Sequence, residues 1–146
     1  HKNCLNVRLY NVFGPGQSAS SPYAAVIPKF LAHLRENTTP VIYGTSTRDY
    51  TSIENVLMAI EAALFAKTTT GEVVDIGCGQ RSTVMDVLVT LSELLHLPTP
   101  IPRIEPARPG DVPDSCANLE MAHELLTWEP TVYFREGLQR LVTHNG

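Results

Sequence analysis

Two arginines carry the most specific chemistry in this sequence. Arg48 lies in Thr47-Arg48-Asp49-Tyr50, after a short apolar run and just ahead of a helix start. Arg108 lies in Ala107-Arg108-Pro109-Gly110-Asp111, where proline and glycine fix an extended turn and hold a long side chain at lower entropic cost. A guanidinium is a planar fork of paired donors that matches two phosphate oxygens. Plainer readings stay open beside this one. Arg48 could pair at the surface with Asp49 or Glu54, and both charges of the Arg108 turn could be solvated. Asn11 ends the first expected strand, and polar side chains at the carboxyl ends of α/β strands face the ligand crevice. It is also a natural turn residue ahead of Gly14-Pro15-Gly16.

Other chemistries find little support. Cys4, Cys78 and Cys116 are far apart and form no Cys-x-x-Cys, so neither a zinc site nor a disulfide framework is expected. The free thiols fit a reducing cytoplasm. The five histidines have no ligand spacing and read as surface or helix-end residues. No Ser/His/Asp or Cys/His arrangement follows from spacing, and Glu72, Asp75 and Asp86 show no paired-carboxylate logic. Gly77-Cys78-Gly79 follows a strand, but a lone Gly-x-Gly is weak evidence for phosphate binding, and a structural turn is the better reading.

The elements that must position these residues alternate. Residues 5–10 read as a strand feeding Gly14-Pro15-Gly16, and residues 17–22 as loop. Residues 23–36 carry Val26, Ile27, Phe30, Leu31 and Leu34 at helical offsets, with Pro28 disturbing the first turn. Val41-Ile42-Tyr43 is a short strand. Ser52 is placed to cap a helix in which Ile53, Val56, Leu57, Ile60 and Leu64 form one buried stripe. Residues 72–76 form a further strand, and Thr83 with Asp86 resembles a capping box ahead of another amphipathic helix. Residues 98–113 are proline-rich and run extended over the surface. Asn118 could cap a helix through Leu126, and residues 135–144 form the last one. Strands alternating with helices indicate an α/β class.

The chain has 146 residues, enough for one domain with a real core. Its net charge of −4, without a lysine–arginine block, argues against a nucleic-acid partner, which needs a basic face. No apolar run is long enough to span a membrane, and the first ten residues lack the apolar core of a signal peptide.

The strings RLYNVFGPGQ, YAAVIPKF, VIYG, TRDYTSIENV, GEVVDIGCGQRSTV and RPGDVPDSCANLEMAHELLTWEP follow one another in an order that resembles the C-terminal half of the extended short-chain dehydrogenase/reductases. These are the NAD-dependent nucleotide-sugar epimerases and dehydratases. The resemblance covers nearly the whole chain. NVFGPGQ, SPYAAVIPKF and TSIENV look most like UDP-hexose and UDP-N-acetylhexosamine 4-epimerases.

The resemblance implies the C-terminal part of a Rossmann-type fold with its small substrate-binding subdomain, residues 1–146 forming one nucleotide-sugar-binding portion. Arg48 and Arg108 would contact the diphosphate of a UDP-sugar, Asn11 the sugar-diphosphate, and Asp111 the ribose. Val26, Ile27 and Tyr43 would lie around the uracil and sugar, although Tyr43 could equally be edge packing. Leu9 and Tyr10 would line the nicotinamide pocket, or simply pack in the core. Thr45-Ser46-Thr47 is shorter than the family's loop, which would draw Arg48 away from the phosphate. The family's Gly-x-x-Gly-x-x-Gly turn and Tyr-x-x-x-Lys pair are not in this sequence: Tyr10, Tyr23, Tyr43, Tyr50 and Tyr133 are followed four residues on by Gly14, Ile27, Thr47, Glu54 and Gly137. The resemblance therefore implies a fragment, inactive alone. NAD would be bound in the complete enzyme, and the partner would be the missing half or a second copy. A non-catalytic nucleotide-sugar-binding or regulatory module, or part of a 4,6-dehydratase or decarboxylase, is the alternative.

Overall fold

The computed structural model describes residues 4–20, 24–66 and 70–144. Its elements are β1 (Cys4–Leu9), β2 (Val12–Phe13), α1 (Val26–Glu36), β3 (Val41–Tyr43), β4 (Thr47–Arg48), β5 (Thr51–Ser52) and α2 (Ile53–Leu64). There follow β6 (Thr70–Ile76), β7 (Ser82–Thr83), α3 (Val84–Leu94), β8 (Arg103–Glu105), α4 (Glu120–Leu126) and α5 (Phe134–His144). Among the described residues the strands form four two-stranded pairings. β1–β6, β2–β5 and β3–β8 are parallel, and β4–β7 is antiparallel. This is an α/β chain, as the alternation predicts.

Local signals explain where the helices start. Ser52 caps α2, its side chain accepting the Glu54 amide at 3.4 Å. Thr83 and Asp86 form a reciprocal capping box on α3, with bonds of 2.7 and 3.0 Å. Asn118 accepts the Glu120 amide at 3.0 Å, one residue ahead of the cap position of α4. Pro28 does not disturb α1. It sits in the first turn, where no intrahelical donor is required. Tyr23, and the last two residues of the expected loop 17–22, lie outside the described residues, as does His1.

Three expectations need correction. Residues 98–113 are not merely a surface strap: β8 pairs with β3 in parallel register, Val41 opposite Arg103 and Tyr43 opposite Glu105. Strand β6 begins at Thr70 rather than Glu72, because Gly71 is bulged out of register against β1. Helix α2 has no single buried stripe. It buries Asn55, Val56 and Ala59, while Leu57, Ile60 and Leu64 are exposed.

Two cores result. The first joins Phe13, Ile27, Phe30, Leu31, Leu34, Ile42 and Tyr50 to Val87, Leu88 and Leu91 of α3 and Leu138 and Leu141 of α5. The second joins Val56 and Ala59 of α2, Val74 and Ile76 of β6, and Ala122, Leu126 and Trp128. Among the described residues no helix is long and apolar enough to cross a membrane.

Candidate functional site

Helix α1 and strand β3 wall a cleft of about 520 Å3, a size usual for a small-molecule site. Val26, Lys29, Phe30 and His33 recur at helical spacing on one face of α1, and Val41 and Tyr43 alternate onto one face of β3. Strand β4 and the 108–111 turn close the cleft. Asn11, Val26, Ile27, Tyr43, Arg48, Arg108 and Asp111 all line it. The seven residues named from the strings thus meet in one place. The short Thr45-Ser46-Thr47 loop does not draw Arg48 out, because β4 is pinned on both sides. Thr47 donates its amide to Pro113 O at 3.1 Å and accepts the Ser115 amide at 3.2 Å, while β4 also pairs with β7.

The guanidinium of Arg48 forms neither pair considered from sequence. It donates through Nη1 to Thr47 O (2.8 Å) and Pro113 O (3.3 Å). Glu54 is paired instead with Arg140, and Asp49 is fully buried. Arg108 lies over the ring of Tyr43, its guanidinium carbon 3.9 Å from the centroid. Among the described residues neither arginine forms a close ion pair, although the Thr47 hydroxyl first, then Arg81 and Arg48, hold the Asp114 carboxyl below its usual range. Lys29 also lines the cleft, half-buried and outside every ion pair among those residues. Among the described residues Asp111 is the one acidic lining residue, and its carboxylate accepts the Arg108 amide at 3.2 Å. A chain of net charge −4 therefore gathers cations here, which is the electrostatics of an anion site.

Asn11 lines the cleft and also serves as a turn residue. It has φ 33°, a left-handed conformation that asparagine tolerates, and its side-chain amide donates to Asp49 O at 3.0 Å. Tyr50 also lines the cleft. Burial pushes its hydroxyl up to about 12, so it stays protonated and able to donate. Strand alternation past Arg48 was the signal for it, as the helical period was for Lys29 and His33. His33 is a helix-end residue, as expected, yet it also forms cleft wall, with Nδ1 2.7 Å from Thr38 Oγ1.

Leu9 and Tyr10 do not join this cleft. Leu9 is exposed at the end of β1, and the Tyr10 hydroxyl donates to Asp75 at 3.0 Å. Two amides of the Gly77-Cys78-Gly79 turn are already used and so are not free for a dinucleotide phosphate. Cys78 N and Gly79 N donate to the Asp49 carboxylate at 2.8 and 2.9 Å, and Ala117 N adds a third bond at 3.1 Å. A Cβ on Gly77 would come within 2.4 Å of Ala117 Cβ and 2.5 Å of Asp49 Oδ2, so only glycine fits. Burial first, and the charge of Asp49 second, push the neighbouring Cys78 thiol up to about 11. Among the described residues no cluster of His, Cys, Asp and Glu could hold a metal.

Residues 2–141 match the family described as GDP-mannose 4,6 dehydratase. A dTDP-L-rhamnose 4-epimerase of Burkholderia thailandensis is 33% identical over 140 residues, covering 94% of this chain and 38% of that protein. A UDP-N-acetyl-alpha-D-glucosaminuronate decarboxylase of Bacillus cytotoxicus is 25% identical over 143 residues, covering 93% of this chain and 44% of that protein. The crystal structure of UDP-glucose 4-epimerase from Thermotoga maritima, with UDP-glucose, superimposes with a TM-score of 0.88 at 31% identity. The match covers 97% of this chain and 45% of that one. The chain spans less than half the length of these relatives. It belongs to this family of extended short-chain dehydrogenase/reductases, the nucleotide-sugar epimerases and dehydratases, and it folds as their C-terminal portion.

Proposed function

We propose that residues 1–146 are the substrate-binding part of an NAD-dependent nucleotide-sugar epimerase acting on a UDP-hexose or UDP-N-acetylhexosamine. One observation carries this reading. Arg48 and Arg108 line the same cleft, and neither forms a close ion pair with a carboxylate among the described residues. A diphosphate supplies the missing charge, and its paired oxygens match a guanidinium fork. Val26, Ile27 and Tyr43 give the apolar wall for the base and sugar, and Asn11 and Asp111 the polar contacts. Anchoring the UDP end leaves the sugar free to turn while held, so that binding energy from a non-reacting group supports the reacting centre. In the complete enzyme NAD would accept and return the hydride. The decarboxylase among the relatives makes a sister activity on the same scaffold the second reading.

The same reading gives an occupant to the apolar strip of Leu57, Ile60 and Leu64 on α2, with Phe65 just beyond it, and to the exposed Val7 and Leu9 on β1. The rest of a wider parallel sheet would pack there. Alone, the chain is expected to self-associate through it, read as concentration-dependent sedimentation.

Calorimetric titration with UDP-N-acetylglucosamine, with NAD as control, tests the cleft. Heat is expected with the UDP-sugar and not with NAD. Arg48→Ala and Arg108→Ala should each weaken binding by about 2–5 kcal/mol. Unchanged affinity in both variants would sink the diphosphate reading, and a sharp monomer at all concentrations would sink the docking strip.

A further inference from the structure

The contact between Tyr43 and Arg108 has a backbone cause. Strand β8 runs parallel to β3, and Gly44 N donates to Glu105 O at 2.9 Å, which carries the register one residue past Tyr43. Ala107 then lies directly over Gly44, where an added Cβ would come within 2.9 Å of its own Cβ. The turn beyond is closed at its neck. Asp111 N donates to Arg108 O at 3.0 Å, and Arg108 N donates to Asp111 Oδ2 at 3.2 Å. The main chain thus delivers Arg108 to the ring of Tyr43.

The mode of contact matters more than its existence. Tyr43 meets the guanidinium by its face, 3.9 Å from the centroid. All five N–H donors of a guanidinium point outward in its plane. A stacked arginine therefore keeps its donors for an anion, whereas a salt bridge would consume them. Arg108 is otherwise exposed, with a long and flexible side chain. The stack restricts its rotamers before any ligand arrives, which lowers the ordering cost of binding.

We propose that Tyr43 is a positioning residue: its ring holds the Arg108 guanidinium edge-on to the cleft, ready for the phosphate oxygens of the ligand. This rests on the reading of Arg108 as an anion clamp, and it gives Tyr43 a task other than touching base or ribose. Arg48 is held by two carbonyls instead, so the two arginines are oriented by independent devices.

The test is a double-mutant cycle read by titration with UDP-N-acetylglucosamine at low and high salt. The variants are Y43A, Y43L, Y43F, R108A and Y43A/R108A, with circular dichroism as the check on folding. Y43L keeps apolar volume without the π face, so it should behave as Y43A does. Both should weaken binding about tenfold and flatten its salt dependence toward that of R108A. Y43F should restore affinity and salt dependence, and the double variant should bind no more weakly than R108A. Losses that multiply in the double variant, or a Y43L protein with intact affinity, would overturn the positioning role while leaving the clamp standing. No loss in R108A, or no binding by the unsubstituted chain, would overturn the clamp and this inference with it. One readout needs no ligand. The Arg108 δ-methylene should carry a ring-current shift that Y43L abolishes, and its absence in the unsubstituted chain refutes the stack.

Discussion

Helices α1, α3 and α5 meet around Phe30, Leu88 and Leu138 in the first core, whereas the second core is open in one sense: exposed apolar side chains of α2 flank it. There α2 is apolar nearly all round, and Leu64 and Phe65 stand 78% and 82% exposed. The difference sorts the residues by task. Phe13, Ile27, Phe30 and Tyr50 belong both to the first core and to the cleft wall, so the cleft rests on that core. The open core carries the β1–β6 pair and the Gly77-Cys78-Gly79 turn instead. What ties the two together is polar. Asp49 reaches from beside Tyr50 to the turn after β6, and Asn55 reaches from α2 to the segment that enters α5.

Breaking that seam should have the largest effect. Asp49 is fully buried and accepts three main-chain amides. Asp49→Ala leaves two buried donors and a partly buried third, Gly79 N, unpaired, at about 1–3 kcal/mol for each buried one before relaxation, so a loss of about 3–5 kcal/mol is expected in urea unfolding. A loss below about 1 kcal/mol would mean that water replaces the carboxylate and that the cores are not joined there. Asn55 is the neutral counterpart. It donates to Val132 O at 2.7 Å and accepts the Thr131 and Val132 amides at 3.0 and 3.1 Å. Asn55→Ala should cost about 2–3 kcal/mol, less than Asp49→Ala because no charged acceptor is lost.

The seam also marks where the sequence stops being readable. Capping by Ser52 and by Thr83 with Asp86 is local, written in three or four residues, and it could be read directly. The β3–β8 pairing joins residues some sixty positions apart across a proline-rich segment, and no local pattern announces it. Asp49 was passed over as a surface partner for Arg48. Strand alternation turns the two in opposite directions, and the amides that donate to Asp49 come from two distant loops. Leu57 and Ile60 misled for the opposite reason: period 3.6 shows that a face is apolar, not that anything covers it. The cleft residues were gathered by family strings rather than by spacing. Lys29, His33 and Tyr50 needed only the helical and strand periods, applied outward from Val26 and Arg48.

A smaller contrast lies within the open core. Asp75 sits directly opposite Arg8 in the β1–β6 register, and the guanidinium donates to it at 2.6 and 2.9 Å. The Arg8 hydrogen bond first, then the Tyr10 hydroxyl and the Asn118 amide, hold this carboxyl below the usual range against the opposing effect of burial. A folded-state value below the unfolded one means stability that is present above about pH 4 and lost as pH falls through the lowered value. Asp75→Asn should therefore cost about 1–2 kcal/mol at neutral pH, toward the low end because Arg8 is solvated. The gap between the two proteins should close on acidification, in urea midpoints followed from pH 7 to pH 3. A gap that stays constant would assign the loss to packing instead.

The smallest effect should come from the seam's outer rim, where Arg140 of α5 bonds to Glu54 of α2 and, 2.7 Å away, to Glu136 on its own helix. All three side chains are about half exposed, so water solvates each charge nearly as well apart as together. The Glu54 bond spans the same two cores as Asp49 and Asn55, yet at a depth where the dielectric is high and salt screens the pair. Arg140→Ala should shift the urea midpoint slightly at low salt and not measurably at high salt. Depth, rather than the number of bonds crossing between the cores, would then set the strength of the seam. A salt-independent loss as large as that of Asn55→Ala would reverse the conclusion and place the join at the surface.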